Sequence, residues 1–245
     1  MIFEGKTAIV TGGASGMGKA TALRFTQEGA NVVLADVDRD ALKSAEREIG
    51  KKAVGVPCDV RNFEEVASTV NFAVKSFGSL DFLINCAGGN SCRIFNRHAE
   101  FCDLPIEQIR WGIDVNLMGT VYFCHEAMRQ MKAQKSGVII NFGSITGIEG
   151  DICGMDYAIS KSAIMNGLNK SLAMLGAKYG VRVNCVAPGP VLTRPAMANM
   201  KTAVGRAADP MEIVDMVLYL CSDKGGFITG ETVLMDGGRH LMMNG

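Results

Sequence analysis

Seven short apolar runs recur along the chain, the first six each followed by a stretch whose apolar residues repeat at helical spacing. The runs are residues 6–11, 31–36, 53–58, 80–85, 137–142, 181–187 and 231–235, rich in Val, Ile, Leu and Ala. Runs of this length without alternation fit strands buried on both faces, as in a parallel sheet. The stretches between them predict helices: one reaching Glu28 from the turn after Thr11, then 39–49, 62–77, 105–131, 155–179 and about 211–220. Pro105 suits the first turn of its helix, with Glu107 close behind. Residues 86–104 read as a loop. The regular alternation argues for a doubly wound α/β fold, a parallel sheet of about seven strands with helices on both faces. No Pro/Gly/Ser-rich linker interrupts it, so residues 1–245 read as one domain.

Charge and composition narrow the function classes. Basic and acidic residues balance at 25 each, so no global field draws in nucleic acid or an anionic membrane. No arginine-rich run, aromatic stacking pattern or internal repeat is present. No apolar run reaches the roughly 18 residues of a membrane helix. Met1–Lys6 leads straight into the first strand, which does not read as a signal peptide. The eight cysteines are scattered, with neither CxxC nor the Cys/His spacing of a zinc site, so no metal is expected. Most fall within strand or helix patterns, where a free Cys acts as a small buried hydrophobe. A reducing, cytoplasmic setting is expected.

The first strand is followed at once by Gly12-Gly-Ala-Ser15-Gly16-Met17-Gly18 and then by a helix. Strand, Gly-rich turn and helix in this order let backbone amides and a helix N-terminus approach a pyrophosphate, the arrangement of a Rossmann-type fold. The second strand ends in Asp36, 18 residues beyond Gly18, about where a ribose-reading acid belongs. Its carboxylate can accept the 2′-OH of NAD and would repel the 2′-phosphate of NADP. Ser15 offers no positive charge to rescue that phosphate, while Arg39 stands near enough in sequence to be considered. NAD is the expected cofactor. In such sheets ligands bind beyond the carboxyl ends of the strands. Asp36, Asp59, Asn85, Ser144 and Pro188 all fall at such ends and should converge on one crevice.

The densest chemistry lies in residues 141–161. A buried strand ends near Phe142, a Gly-studded loop carries Ser144, and a helix places Tyr157 and Lys161 four residues apart on one face. A tyrosine hydroxyl titrates near pH 10, a poor base at neutrality. A neighbouring ammonium favours the phenolate, so such a pair makes a usable acid/base. Ser144 can donate a hydrogen bond to the same carbonyl or alcohol oxygen. An isolated Tyr-x-x-x-Lys is common by chance; its setting after strand, glycine turn and acid gives it weight.

Taken together, Thr11-Gly12-Gly-Ala-Ser15-Gly16-Met17-Gly18, Asp59-Val60, Asn85-Cys86-Ala87-Gly88, Asn116, Ser144, Tyr157-Ala-Ile-Ser-Lys161, Pro188-Gly189 and Asp236-Gly237-Gly238 resemble the motifs of the short-chain dehydrogenase/reductase family across essentially the whole chain. The resemblance implies that Tyr157 is the general acid/base. Lys161 would support it and hold the nicotinamide ribose, and Ser144 would polarise the substrate oxygen. Asn116 would hold a water in a proton relay to Lys161. It implies that Asp59 reads the adenine edge and Thr193 the carboxamide. Val60, Asn85, Ala87, Gly88, Pro188, Gly189 and Val191 complete the implied cofactor contacts. Hydride would pass between the nicotinamide and the substrate carbon. The family usually shows Asn-Asn-Ala-Gly where this chain has Cys86, either a tolerated substitute or a tuned thiol.

Substrate-facing pieces should be the loop after Gly88, the loop between Ser144 and Tyr157, and a short lid at about 190–209. Thr146, Ile152 and Met197 are candidate substrate contacts, beside Ser144 and Tyr157. Arg93, Arg97 and His98 make either an anion-recognising rim or a solvated loop, whereas Glu149 and Asp151 would disfavour an anion if they faced the pocket. His98, His125 and His240 show no partner pattern. The expected reaction interconverts a secondary alcohol and a ketone of steroid-like, polyol or hydroxyacyl type. Two alternatives are a 3-oxoacyl-(acyl-carrier-protein) reductase using NADPH and a non-catalytic nucleotide-sensing protein. Asp36 and Met174 argue against the first, the complete Tyr/Lys/Ser/Asn set against the second. The long helices, the small residues Ala158, Ala163, Ala173 and Gly176, and the family's habit imply a homodimer or homotetramer. Leu241, Met242 and Met243 are then placed to reach a neighbouring subunit.

Overall fold

The computed structural model describes residues 1–244; the Met243 side chain, expected to reach a neighbouring subunit, lies outside the described part. The seven apolar runs form seven strands: β1 Thr7–Thr11, β2 Asn31–Asp36, β3 Ala53–Pro57, β4 Phe82–Asn85, β5 Gly137–Phe142, β6 Val181–Pro188 and β7 Thr232–Met235. They pair in parallel in the order β3-β2-β1-β4-β5-β6-β7. The chain winds outward from β1 to β3, then crosses back to β4 beside β1 and winds the other way. A crevice therefore opens between β1 and β4 at the strands' carboxyl ends. Register sharpens this: Thr11 pairs with Asn85, and Asn85 with Asn141, so three strand ends finish in one row.

Alternate residues of each strand enter two apolar layers. Val10, Leu34, Ile84 and Ile140 pack on one face beneath α1 (Gly16–Gln27), α2 (Arg39–Ile49) and α10 (Pro210–Cys221). Ile9, Val33, Leu83 and Ile139 pack on the other beneath α3 (Phe63–Phe77), α6 (Gly119–Gln134) and α9 (Asn169–Ala177). Helix starts follow local side-chain chemistry. Asp38 accepts from the amides of Asp40 and Ala41, and Asp209 with Glu212 forms a capping box behind Pro210.

The structure revises several expected boundaries. Asn62 is the cap of α3 rather than its first residue, and β4 starts at Phe82. Residues 86–104 hold a helical turn, α4 (Ser91–Ile94), because Asn90 caps it through the amide of Cys92 at 2.9 Å. Pro105 stands at the N-cap of α5 (Ile106–Ile113), which runs into a π turn, Asp114–Met118, and on into α6. The helix carrying Tyr157 and Lys161 is likewise interrupted: after α7 (Thr146–Glu149), α8 (Met155–Ala163) passes through a π turn, Ile164–Leu168, into α9. Ala173 and Gly176 face inward rather than toward a neighbour. A Cβ on Gly176 would lie 2.7 Å from the Val181 carbonyl, so the small residue serves helix-on-sheet packing.

Phe25 of α1 is fully buried, stacked on Phe3 at 5.0 Å and edge-on to Phe82 at 5.4 Å. Truncating a buried Phe costs about 3–5 kcal/mol. Phe25→Ala should lower unfolding free energy by that amount in urea titrations, with little change in slope.

Candidate active site

A cavity of about 1070 Å3 lies over the strand ends. At its β1 side Gly12 (φ +62°) and Gly16 (φ +51°) take left-handed conformations that glycine adopts freely. A Cβ on Gly18 would lie 2.1 Å from the Gly12 carbonyl oxygen. Only glycine thus lets α1 start so close to the strand. Ser15, at the N-cap, makes no side-chain capping bond, which leaves first-turn amides of α1 for a ligand. Across the crevice the β4 turn is tied in when the Ala87 amide donates to Thr11 Oγ1 at 3.0 Å.

Two acids border this half. Asp36 is braced by the amides of Ala14 and Asp38, both at 3.1 Å. Asp59 is gripped by the guanidinium of Arg61, whose Nε lies 2.9 and 3.0 Å from its two oxygens. That fork holds the Asp59 carboxyl below the usual carboxylate range. Arg39 does not line the cavity, and Arg61 is committed to Asp59. Glycine cradle, open helix amides and a braced acid fit a dinucleotide.

At the other half Lys161 is 4% exposed, and its ammonium donates to the Phe142 carbonyl at 2.7 Å. The same nitrogen lies 5.5 Å from the centre of the Tyr157 ring. Ser144 follows the end of β5, and its hydroxyl accepts from the Thr146 amide at 3.2 Å. Tyr157, Lys161 and Ser144 share the cavity with every other predicted site residue except Asn85, Asn116 and Ile152.

Those three are placed elsewhere. The Asn116 side chain is fully buried in the π turn and committed to backbone: Oδ1 accepts from the Gly89 amide at 2.9 Å. Its Nδ2 donates to the carbonyls of Gly89 and Gly112 at 3.0 and 2.8 Å. It clamps the β4 turn to the helix instead of presenting its amide to a relay water. Asn85 sits beneath the floor, donating to Asn141 Oδ1 at 2.9 Å. Ile152 is 81% exposed, pointing away on the loop surface. Cys86 is half-buried in the cavity lining, and desolvation pushes its thiol pKa up to about 12 despite the nearby Lys161 charge.

The cavity lining also contains residues that the sequence left open or did not single out. Arg93 and His98 line the cavity while Arg97 does not, and Arg194, Trp111 and Met200 join them. Trp111 is one helical turn before Val115, also in the cavity lining, and no motif singled out either. Burial, and then the neighbouring Arg194, pull the Arg93 guanidinium below its usual range. Glu149 turns away to accept from Arg239 at 3.2 Å. His240 pairs with Asp236 and His125 with Glu126.

With this geometry in view, comparison with known proteins places the chain. Residues 12–240 match the sequence family described as enoyl-(acyl carrier protein) reductase. The cis-4-hydroxycyclohexanecarboxylate dehydrogenase of Sinomonas cyclohexanicum is 36% identical over 248 residues, covering 96% of this chain and 97% of that protein. The 3beta-hydroxysteroid dehydrogenase 2 of Eggerthella lenta is 34% identical over 254 residues, covering 97% and 95%. The crystal structure of a short-chain dehydrogenase from Bacillus anthracis superposes with a TM-score of 0.91 at 33% identity, covering 98% and 99%. The chain belongs to the short-chain dehydrogenase/reductase family. It is an oxidoreductase of the alcohol/ketone type, in a family that uses nicotinamide cofactors. No helix among the described residues is long and apolar enough to cross a membrane.

One buried group beside the site has no hydrogen-bond partner. Asp156, adjacent to Tyr157, is 1% exposed, and neither carboxylate oxygen is paired. It abuts Gly112 so closely that a Cβ there would lie 1.6 Å from Oδ2. Burial raises its pKa above the ordinary 3.8, with Ser91 near enough to offset part of the rise. A carboxyl harder to ionise when folded destabilises the native state as pH climbs above its unfolded value, up to its folded one. Asp156→Asn should therefore gain stability relative to wild type as pH rises from about 4 to neutrality, beyond any constant offset from the amide. Thermal melts across that range check the slope; parallel curves would show an unperturbed carboxyl.

Proposed function

We propose that this chain is an NAD-dependent dehydrogenase that interconverts a secondary alcohol and a ketone. The observation that carries the reading is the buried Lys161 ammonium, fixed by the Phe142 carbonyl beside Tyr157, with Ser144 in the same cavity. Tyr157 passes the proton to or from the substrate oxygen. The Lys161 charge stands where it stabilises negative charge developing on that oxygen pair. Ser144 donates a hydrogen bond to the substrate oxygen, with Thr146 and Met197 at its flank. Asn116 acts as a positioning residue, holding Gly88 and Gly89 against Lys161. Bound nicotinamide supplies the hydride chemistry.

Gly12, Ser15, Gly16, Met17 and Gly18 cradle the pyrophosphate, and Asp36 takes the adenosine ribose. Asp59 and Val60 border the adenine, Ala87 and Gly88 the central crevice, and Pro188, Gly189, Val191 and Thr193 the nicotinamide end. Support for NAD over NADP comes from Asp36 itself and from the lack, among the described residues lining this half of the cavity, of a free cation, Arg61 being paired and Arg39 lying outside the lining. Residues 190–209 act as the lid. They leave the body where the Leu192 amide donates to the Ala208 carbonyl at 2.9 Å, closing the loop at its base. Two relatives are named for hydroxylated ring compounds, which supports a cyclic secondary alcohol as substrate. Met174 is exposed and presents no charge to an acidic carrier protein.

Parallel melts with NADH and NADPH test the cofactor. A ligand at 100 times its dissociation constant adds about 2.7 kcal/mol. NADH should protect and NADPH should not; stronger protection by NADPH would sink the Asp36 assignment. Tyr157→Phe should cut turnover about 10^2- to 10^4-fold with NADH protection intact, and near wild-type turnover would refute the proton role. Ile106, Ile159 and Leu175 leave apolar surface uncovered on the long helices, in line with a homo-oligomer. Sedimentation at micromolar concentration should show a dimer or tetramer, and monomer alone would exclude it.

A further inference from the structure

We propose that the substrate carries a carboxylate, held between Arg93 and Arg194 at the mouth of the cavity, in addition to the hydroxyl or ketone that Tyr157 serves. The proposal rests on reading this cavity as the active site. The two arginines come from separate parts of the chain, Arg93 from α4 after β4 and Arg194 from the lid after β6. Both line the cavity that holds Tyr157. Arg93 lies close enough to feel the charge of Arg194.

Both side chains are exposed at the cavity, so water answers their charge until a ligand displaces it, and like charges brought together there repel. Five of the twelve arginines, Arg24, Arg61, Arg129, Arg206 and Arg239, have a carboxylate partner. Among the described residues, neither Arg93 nor Arg194 has one within 4.0 Å. The side-chain bond Arg194 makes is to the sulfur of Met197 at 3.6 Å. A planar anion accepting from two guanidinium forks supplies the missing charge.

The acids nearby do not fill that role. Glu149 is turned out to Arg239. Asp151 lines the cavity, but Oδ1 accepts from the Cys153 amide at 3.0 Å and Oδ2 from Asn90 Nδ2 at 3.1 Å. Asp36 and Asp59 border the opposite half. Lys161 is bonded inward to Phe142. Two guanidinium charges against the one carboxylate of Asp151 leave a single positive charge, which matches a monoanion better than a phosphate ester. Trp111, Ile94 and Met197 line the same cavity, so the carboxylate belongs to an apolar body rather than to a small hydroxy acid.

Benzoate, benzamide and phenyl phosphate are suitable probes, titrated calorimetrically into the protein with and without NADH. Benzoate should bind at least ten times more tightly than benzamide. Arg93→Gln and Arg194→Gln should each weaken benzoate by about 10- to 100-fold, the loss expected for a charge-assisted hydrogen bond, while benzamide and NADH affinities stay put. Equal binding of benzoate and benzamide, or variants that bind benzoate normally, would overturn the proposal. So would phenyl phosphate binding in preference to benzoate, or variants that lose NADH instead of benzoate. The parent reading fails separately: NADH protection and oxidation of cyclohexanol would persist if only the carboxylate site were wrong.

Discussion

A buried ammonium governs the catalytic half of this molecule. Lys161 is out of water, and its charge must be answered by protein groups. The answer is a backbone carbonyl at the end of β5, a position that side-chain substitution cannot remove. Once that bond is made, the first turns of α8 are pinned to the sheet, and Tyr157, one turn earlier, is fixed beside the crevice. The same constraint reaches β4: Gly88 must pass between Lys161 and Asn116, where a Cβ would come within 2.4 Å of the Asn116 oxygen.

The opposite half is built by close approach instead of charge. α1 nearly touches the end of β1 because Gly18 has no side chain, and the β1 and β4 turns meet at Gly12 and Ala87. Backbone amides and a helix terminus remain turned to a ligand, with Asp36 braced at the far edge. The two halves obey different physics but share one row of strand ends, since Thr11, Asn85 and Asn141 are in register.

Much of this was legible in the residue order. Unalternating apolar runs can satisfy only a sheet covered on both faces, so strand number and parallel pairing followed from pattern alone. Glycines at 12, 16 and 18 were informative because a turn that crowds a helix onto a strand tolerates nothing larger. What was not legible concerns direction and competition. Asn116 and Asn85 do not line the crevice: their amides are taken by backbone and side-chain partners, and spacing does not reveal that. Ile152 and Asp151 are neighbours in a loop, one outside and one in the wall, and no periodicity separates them. Arg194 and Trp111 enter the wall through tertiary folding of segments whose own patterns, a lid and an amphipathic helix, were already explained. Ala173 and Gly176 showed the reverse error: small residues suggested contact with another subunit, when the demand came from the chain's own sixth strand.

The two π turns have a further consequence for how this architecture changes over time. Each accommodates one more residue than a regular helix of the same rise, and one residue is worth about 100° of rotation. Deleting a single position from Asp114–Met118 would restore an unbroken helix while swinging Asn116 away from Gly89 and turning Trp111 relative to everything that follows. The clamp on the β4 turn is therefore encoded in chain length as much as in residue identity. Gaining or losing one helical residue here would reshape the cavity lining while leaving the glycine turn and the Tyr157/Lys161 pair unchanged in sequence.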